Sequence, residues 1–277
     1  MMKVAYTGWT WVISREPELA KRLIEQSFRE LKYIGYDYVE NFAFIRDFYA
    51  ENPQELVDLQ KKYDVKLVNL YGHFRLDEEA MVDMGKKQLD FLAAVGGKWY
   101  NCQSGRFEDE GPVERPTEPK AIDTLCSISN KLGEYAKSLG LTLCFHPHFG
   151  TYVFSQEDID YYAKNTDPNN VSFCIDTAHT TLAGIDSVDL VKQLGKRVGY
   201  MHLKDVDTYA LSKAEGRDKM ATFRSLGHGN VNFPAVKAAL EEVGYDGVLC
   251  VELDRPAIGN YPAAEISRIY IKNALGL

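Results

Sequence analysis

The sequence predicts a (β/α)8 TIM barrel, and three observations carry that prediction. Eight short runs rich in apolar and β-branched residues alternate with eight amphipathic helical patterns, which is the count of such a barrel at about this length. Helical patterns repeatedly end at a glycine and give way to a strand within a few residues. The last four strand-like runs each finish in an imidazole or a carboxylate, so ligand-type groups collect at one end of one sheet.

In chain order, strands are expected near 3–8, 37–41, 65–70, 98–103, 141–146, 171–176, 198–203 and 247–252. Helices are expected near 16–34, 53–63, 78–95, 118–139, 156–165, 187–195, 234–243 and 262–275. The punctuation is clearest in KYIGYDYVE (32–40) and EEVGYDGVLCVE (241–252), with looser forms at AAVGGKWYNCQ (93–103) and AKSLGLTLCFH (136–146). Gly35, Gly244, Gly96 and Gly140 stand where a left-handed residue closes a helix. Ser155 and Asn232 suit N-caps at helix starts. A doubly wound open sheet is the runner-up, but it calls for a Gly-rich phosphate loop after the first strand, where this chain has Gly8-Trp9-Thr10-Trp11. With no linker or low-complexity tract, residues 1–277 read as one barrel domain. The irregular stretches 104–117 and 205–232 follow strands and are the candidate substrate-covering loops.

Composition narrows the class. At 45% hydrophobic and 26% charged residues the chain can build a large core. A net charge of −8 with dispersed Lys and Arg offers no basic stripe for a phosphate backbone, which argues against nucleic acid. No stretch approaches the roughly 18 uninterrupted apolar residues of a membrane span, and MMKVAYTGWTWV lacks a signal-peptide pattern. A cytoplasmic protein without a membrane partner is therefore expected. Five cysteines, an odd number, fit a reducing compartment, and Cys144, Cys174 and Cys250 lie inside apparent strands as small hydrophobes.

The chemistry is concentrated in LTLCFHPH (His146, His148), VSFCIDTAH (Asp176, His179), VGYMHLKD (His202, Asp205) and GVLCVELD (Glu252, Asp254). Any one such residue is commonly a structural histidine or a strand-end cap. Several at the carboxyl ends of consecutive strands imply one shared catalytic or metal site. Nitrogen and oxygen donors without thiolates suit Mn²⁺, Co²⁺, Fe²⁺, Zn²⁺ or Mg²⁺ and leave the choice among them open. Such an ion is a Lewis acid for a carbonyl and its neighbouring hydroxyl, stabilising the enediolate left when the α-proton is removed. That chemistry suits sugars and keto-polyols.

These motifs resemble the xylose isomerase-like TIM barrel superfamily over nearly the whole chain. The resemblance implies metal ligands at the ends of strands five to eight, and Asp176 in CIDTAH, His202 in MHLKD and Glu252 in VELD match the last three in type and order. His179 matches the polar position after the Asp, a substrate or second-metal contact in the family. The first position carries His146 where the epimerases carry Glu. The form HxHxGT over residues 146–151, followed by the acidic helix opening SQEDID, is similar to the inosose dehydratase branch. GHGNVNF (227–233) resembles the family's GxGxxDF loop with Asn232 for Asp.

With Asp176, His202 and Glu252 matched to the family's ligands, His146 is the expected fourth member of the metal set, and His146, His148, Lys204 and Glu252 are the expected catalytic groups. Lys204 has a structural alternative as the ion-pair partner of a carboxylate such as Asp205. Trp9, Glu40, His73 and His179 are the expected substrate contacts; Trp11, Tyr71 and Phe74 stand at the same strand ends and suit a sugar face or plain core equally. Replacing Glu by His146 unsettles the two-carboxylate pair of an epimerase and favours elimination, because imidazole can act as acid or base near neutrality. The expected activity is inosose-dehydratase-like elimination on a sugar, inosose or keto-glycoside. Sugar (phosphate) isomerisation or epimerisation is the alternative on the same site, and an inactive carbohydrate-binding barrel the alternative of another class. Barrels of this family often pair, which leaves a homo-oligomer open.

Overall fold

A computed structural model of the chain describes residues 2–105 and 117–277. Its centre is a closed barrel of eight parallel strands, β1 (Lys3–Thr7), β2 (Tyr38–Phe42), β3 (Lys66–Phe74), β4 (Trp99–Ser104), β5 (Thr142–Phe145), β6 (Val171–Asp176), β7 (Val198–Leu203) and β10 (Val248–Val251). The intervening β8 (Asp205–Val206) and β9 (Phe223–Arg224) form a separate antiparallel ribbon. The barrel closes where β1 pairs with β10.

The outer helices are α1 (Pro17–Ile34), α3 (Pro53–Tyr63), α4 (Glu78–Ala94), α5 (Pro119–Ser138), α6 (Gln156–Asn165), α8 (Ser187–Leu194), α10 (Phe233–Glu242) and α11 (Asn260–Tyr270), the last extended by a π turn to Leu275. Each matches an expected helix within a few residues. Gly35, Gly96, Gly140 and Gly244 all have positive φ, as the helix-to-strand punctuation requires. Ser155 makes a reciprocal capping box with Asp158, and the Asn232 side chain accepts from Ala235 N at 3.1 Å. Shorter helices α2 (Arg46–Tyr49), α7 (Thr177–Ala183) and α9 (Thr208–Leu211) lie within stretches that carry no helical period.

Period-two alternation along the strands explains where the site lies. Cys144, Cys174, Tyr200 and Cys250 share one buried cluster with Ala5, Val68 and Val248 inside the barrel. Two residues further along the same chain segments stand His146, Asp176, His202 and Glu252, so the same inward face runs from an apolar floor to a polar rim. All five cysteines are buried and unpaired.

Two irregularities tune this alignment. The β2–β3 register shifts between Val39 and Glu40, and the β6–β7 register shifts between Phe173 and Cys174, just before Asp176 aligns with His202. Each is a bulge that re-aims the residues after it. At the second, a Cβ on Gly199 would lie 2.6 Å from Cys144 Sγ and 2.7 Å from Ser172 Cβ, so only glycine fits without displacing both strands.

Of the two expected covering loops, 104–117 lies outside the described residues over 106–116. The other, 205–232, is ordered around Asp205. That buried carboxylate accepts from Gly227 N and Gly229 N at 2.9 Å and from Val231 N at 3.0 Å. No helix among the described residues is long and apolar enough to cross a membrane.

Candidate active site and metal centre

His146, Asp176, His202 and Glu252 are all buried, and one donor atom from each lies within 4.8 Å of every other. Each is oriented by a different device. Asp176 caps α7: its Oδ1 accepts from Ala178 N at 2.7 Å and His179 N at 3.0 Å. Its Oδ2 makes no hydrogen bond and lies 3.7 Å from His146 Nε2 and 3.8 Å from His202 Nδ1. For His146, the Tyr71 hydroxyl donates to Gln103 Oε1 at 2.7 Å, so its oxygen accepts from His146 Nδ1 at 3.0 Å. That leaves Nε2 with its lone pair towards Asp176.

His202 is held from below. Its Nε2 lies 3.0 Å from both oxygens of Glu40, and Asn101 Nδ2 donates to Glu40 Oε2 at 3.0 Å. The other nitrogen, Nδ1, is 2.9 Å from Glu252 Oε2 without the alignment of a hydrogen bond. Thus His146 Nε2, Asp176 Oδ2 and His202 Nδ1 are buried polar atoms without hydrogen-bond partners that converge beside the Glu252 carboxylate. Buried polar groups are rarely left this way. Two imidazole nitrogens and two carboxylates form a donor set that fits a divalent cation.

Lys204 supplies the local positive charge. Its fully buried ammonium is 3.0 Å from Glu252 Oε2, 3.3 Å from Asp176 Oδ2 and 3.1 Å from Asp254 Oδ2. Its backbone is clamped to the start of α7, since Thr177 Oγ1 donates to Lys204 O at 2.7 Å and accepts from Lys204 N at 3.0 Å. Burial acts to lower the Lys204 pKa, but Asp176, Asp254 and Glu252 outweigh it and raise it well above the usual value. Burial, with Glu252 adding to it, pushes Asp254 up to about 6 despite the ammonium. The expected partner Asp205 is instead consumed by the backbone of the 227–231 loop.

The remaining predicted residues divide by place. His148 and His179 lie against each other with ring centroids 3.7 Å apart and planes tilted by 40°, each about 5.5 Å from His146. His148 Nδ1 donates to Phe149 O at 2.7 Å, which leaves Nε2 as an acceptor. Trp9 stacks on Phe42 at 4.7 Å, and Phe42 meets His73 edge-to-face at 5.3 Å, giving one side of the mouth an aromatic wall. Trp11 and Phe74 belong to the core, with Trp11 Nε1 donating to Glu30 Oε2 at 2.7 Å. Glu40 is fully buried beneath His202, which turns its carboxylate to the imidazole and not to the open mouth. Asn101 and Gln103 were not foreseen as site residues, and Asp254, named with Glu252 at the end of GVLCVELD, was given no role of its own. The alternation in YNCQS, which sends Asn101 and Gln103 to one face, was the available signal for the first two.

Burial also sets an acid limit on stability. It is the largest cause lowering His73 to about 4 and His148 to about 3. The folded values lie below the unfolded value near 6.5, so between about pH 4 and 6.5 the unfolded chain binds more protons. The metal-free protein is therefore expected to lose stability as pH falls through this window, at up to ~1.4 kcal/mol per pH unit per histidine. Thermal denaturation at half-unit pH steps checks the slope, and a flat profile from pH 6.5 to 4.5 would refute it.

Fold and site together define a parallel eight-stranded barrel with a four-group nitrogen and oxygen centre at its carboxyl-end mouth. The family model described as Xylose isomerase-like TIM barrel matches residues 28–272, and the chain belongs to that family. An inosose dehydratase of Clostridium perfringens (strain 13 / Type A) is 27% identical over 297 aligned positions, covering all of this chain and 98% of the relative. The IOLI protein, solved with a zinc atom bound, superposes with a TM-score of 0.77 at 18% identity, over 99% of this chain and 98% of the other. L-ribulose 3-epimerase superposes with a TM-score of 0.77 at 16% identity, over 100% and 95%.

Proposed function

We propose that this chain, as one barrel domain over residues 1–277, is a cytoplasmic, divalent-metal-dependent carbohydrate lyase. It removes the proton next to the carbonyl of an inosose or related keto-sugar and expels the β-hydroxyl as water. The observation that carries the reading is the convergence of His146 Nε2, Asp176 Oδ2 and His202 Nδ1, buried and without hydrogen bonds, beside Glu252. The similarity to inosose dehydratase over the whole chain supports the substrate class.

His146, Asp176, His202 and Glu252 would hold the ion, with Mn²⁺ the preferred candidate among Mn, Co, Fe, Zn and Mg. When bound, it supplies a Lewis acid for the substrate carbonyl and acidifies the neighbouring C–H. His148 Nε2, whose lone pair is exposed by the Nδ1 hydrogen bond to Phe149 O, takes the α-proton. The C–H electrons form the new double bond and the C–O bond on the β-carbon breaks. Lys204 Nζ, held by Asp254 at 3.1 Å, gives a proton to the departing oxygen, which leaves as water. His179 flanks the base, and Trp9 and His73 offer faces to the apolar side of the ring.

Metal titration tests the centre. Wild-type protein is expected to bind one divalent ion per chain, and Asp176→Ala and His202→Ala each to lose at least ~100-fold in affinity, since each removes one of four ligands. Full stoichiometry and unchanged affinity in either variant would defeat the assignment.

A further inference from the structure

We infer that Glu40 is a positioning residue: it fixes which nitrogen of His202 faces the centre, forming a carboxylate–imidazole relay that Asn101 holds in place. The inference rests on the reading of the four-group cluster as a metal centre and adds a function to a residue that touches neither the ion nor the substrate.

Glu40 stands on β2 and His202 on β7, which β1 and β10 separate around the closed barrel. Both are fully buried. A carboxylate in such a place is costly unless its charge is matched by donors. Its donors are His202 Nε2, at 3.0 Å from both oxygens, and Asn101 Nδ2, at 3.0 Å from Oε2. An acceptor on both sides of Nε2 keeps a proton there. With the proton kept on Nε2, Nδ1 is the nitrogen available to a bound cation, and it is the one that lies 3.8 Å from Asp176 Oδ2 and 2.9 Å from Glu252 Oε2. With the tautomer reversed, His202 would present a proton to its own co-ligands and leave Glu40 facing a lone pair.

The backbone is shaped for this contact. The β2–β3 register slips between Val39 and Glu40, so that Glu40 pairs with Asn69 where an unbroken register would give Val68. Such a bulge re-aims a side chain, and here the re-aimed side chain is the one that meets His202. A buried ion pair serving stability alone would not require His202 Nδ1 to end without a hydrogen bond among the ligand atoms.

Two variants test the relay. Glu40→Gln keeps the shape and an acceptor oxygen but removes the charge, and Glu40→Leu removes both. Zn²⁺ affinity is measured by chelator competition. In parallel, the His202 Nε2–H resonance is observed in ¹⁵N-histidine-labelled, Zn²⁺-loaded protein. The expected result is a loss in Zn²⁺ affinity of about 10–100-fold for Glu40→Leu and a smaller loss for Glu40→Gln. The exchange-protected downfield proton should be retained but shifted upfield in Glu40→Gln, and no longer protected in Glu40→Leu. Glu40→Gln preserves volume and hydrogen bonding, so it decides the matter even where the Leu variant fails to fold. Zn²⁺ bound within threefold of wild type by Glu40→Gln, with an unshifted proton, would overturn the role of Glu40 and leave the metal centre standing. No Zn²⁺ binding by wild type would overturn the centre and this inference together.

Discussion

Lys204→Met is expected to lower kcat by about 10²–10³-fold while the metal-loaded protein stays folded. The ammonium is fully buried, within 3.3 Å of Asp176, Glu252 and Asp254, and 4.9 Å from the centre of the Phe223 ring. It is thus both the proton donor nearest the centre and the counter-charge for three carboxylates. Those two duties separate experimentally. Removing the charge leaves Asp176, Glu252 and Asp254 without a matching cation, which should cost the metal-free protein about 3–5 kcal/mol. A divalent ion restores much of the balance by binding two of those carboxylates, so the melting temperatures of variant and wild type should converge on metal loading. The rate defect should persist at saturating metal. Turnover within threefold of wild type at saturating metal would remove Lys204 from the chemistry.

His148→Gln is expected to lower kcat by about 10²–10⁴-fold with little change in KM or in metal affinity. His148 lies outside the four-group cluster, yet its ring centroid is 5.4 Å from that of His146 and 3.7 Å from that of His179. The hydrogen bond from Nδ1 to Phe149 O fixes the tautomer and leaves Nε2 free to accept a proton. Burial holds the group near 3, so at neutral pH it is the unprotonated base. Glutamine cannot take up a proton, although it can keep a hydrogen bond to Phe149 O. Steady-state kinetics with a parallel metal titration separates the loss of a base from the loss of a ligand: a fall in metal affinity matching the fall in kcat would reassign His148 to the centre.

Much of this was legible in the chain because a parallel barrel has simple periodicities. The alternation that sends Cys174 inward also sends Asp176 inward, and the same holds for Cys250 and Glu252. Helix closure at Gly35, Gly96, Gly140 and Gly244 is a local matter of positive φ, readable without tertiary structure. What stayed hidden depends on closure or on very short elements. The partner of Glu40 lies 162 residues away on β7, so position alone suggested a substrate contact. Lys204 has Asp205 next to it in sequence, but the 227–231 backbone claims that carboxylate, and the ammonium turns to Asp176, Glu252 and Asp254. Helix α7, TAHTTLA, is too short and too rich in β-branched Thr to announce itself, and is started by the Asp176 cap. Trp9 and Trp11 part ways because a 3₁₀ turn points one to the mouth wall and the other to Glu30.

Proton NMR of the Mn²⁺-reconstituted protein in D₂O, with a panel of inososes, ketoses, ketose phosphates and 3-keto-glucosides, tests the central claim most directly. The account predicts loss of water from an inosose, giving a dehydrated diketone that does not form with metal-stripped protein or with His148→Gln. Deuterium entering next to the carbonyl, with an isomer formed and no water lost, would contradict elimination and make the same site that of an isomerase or epimerase.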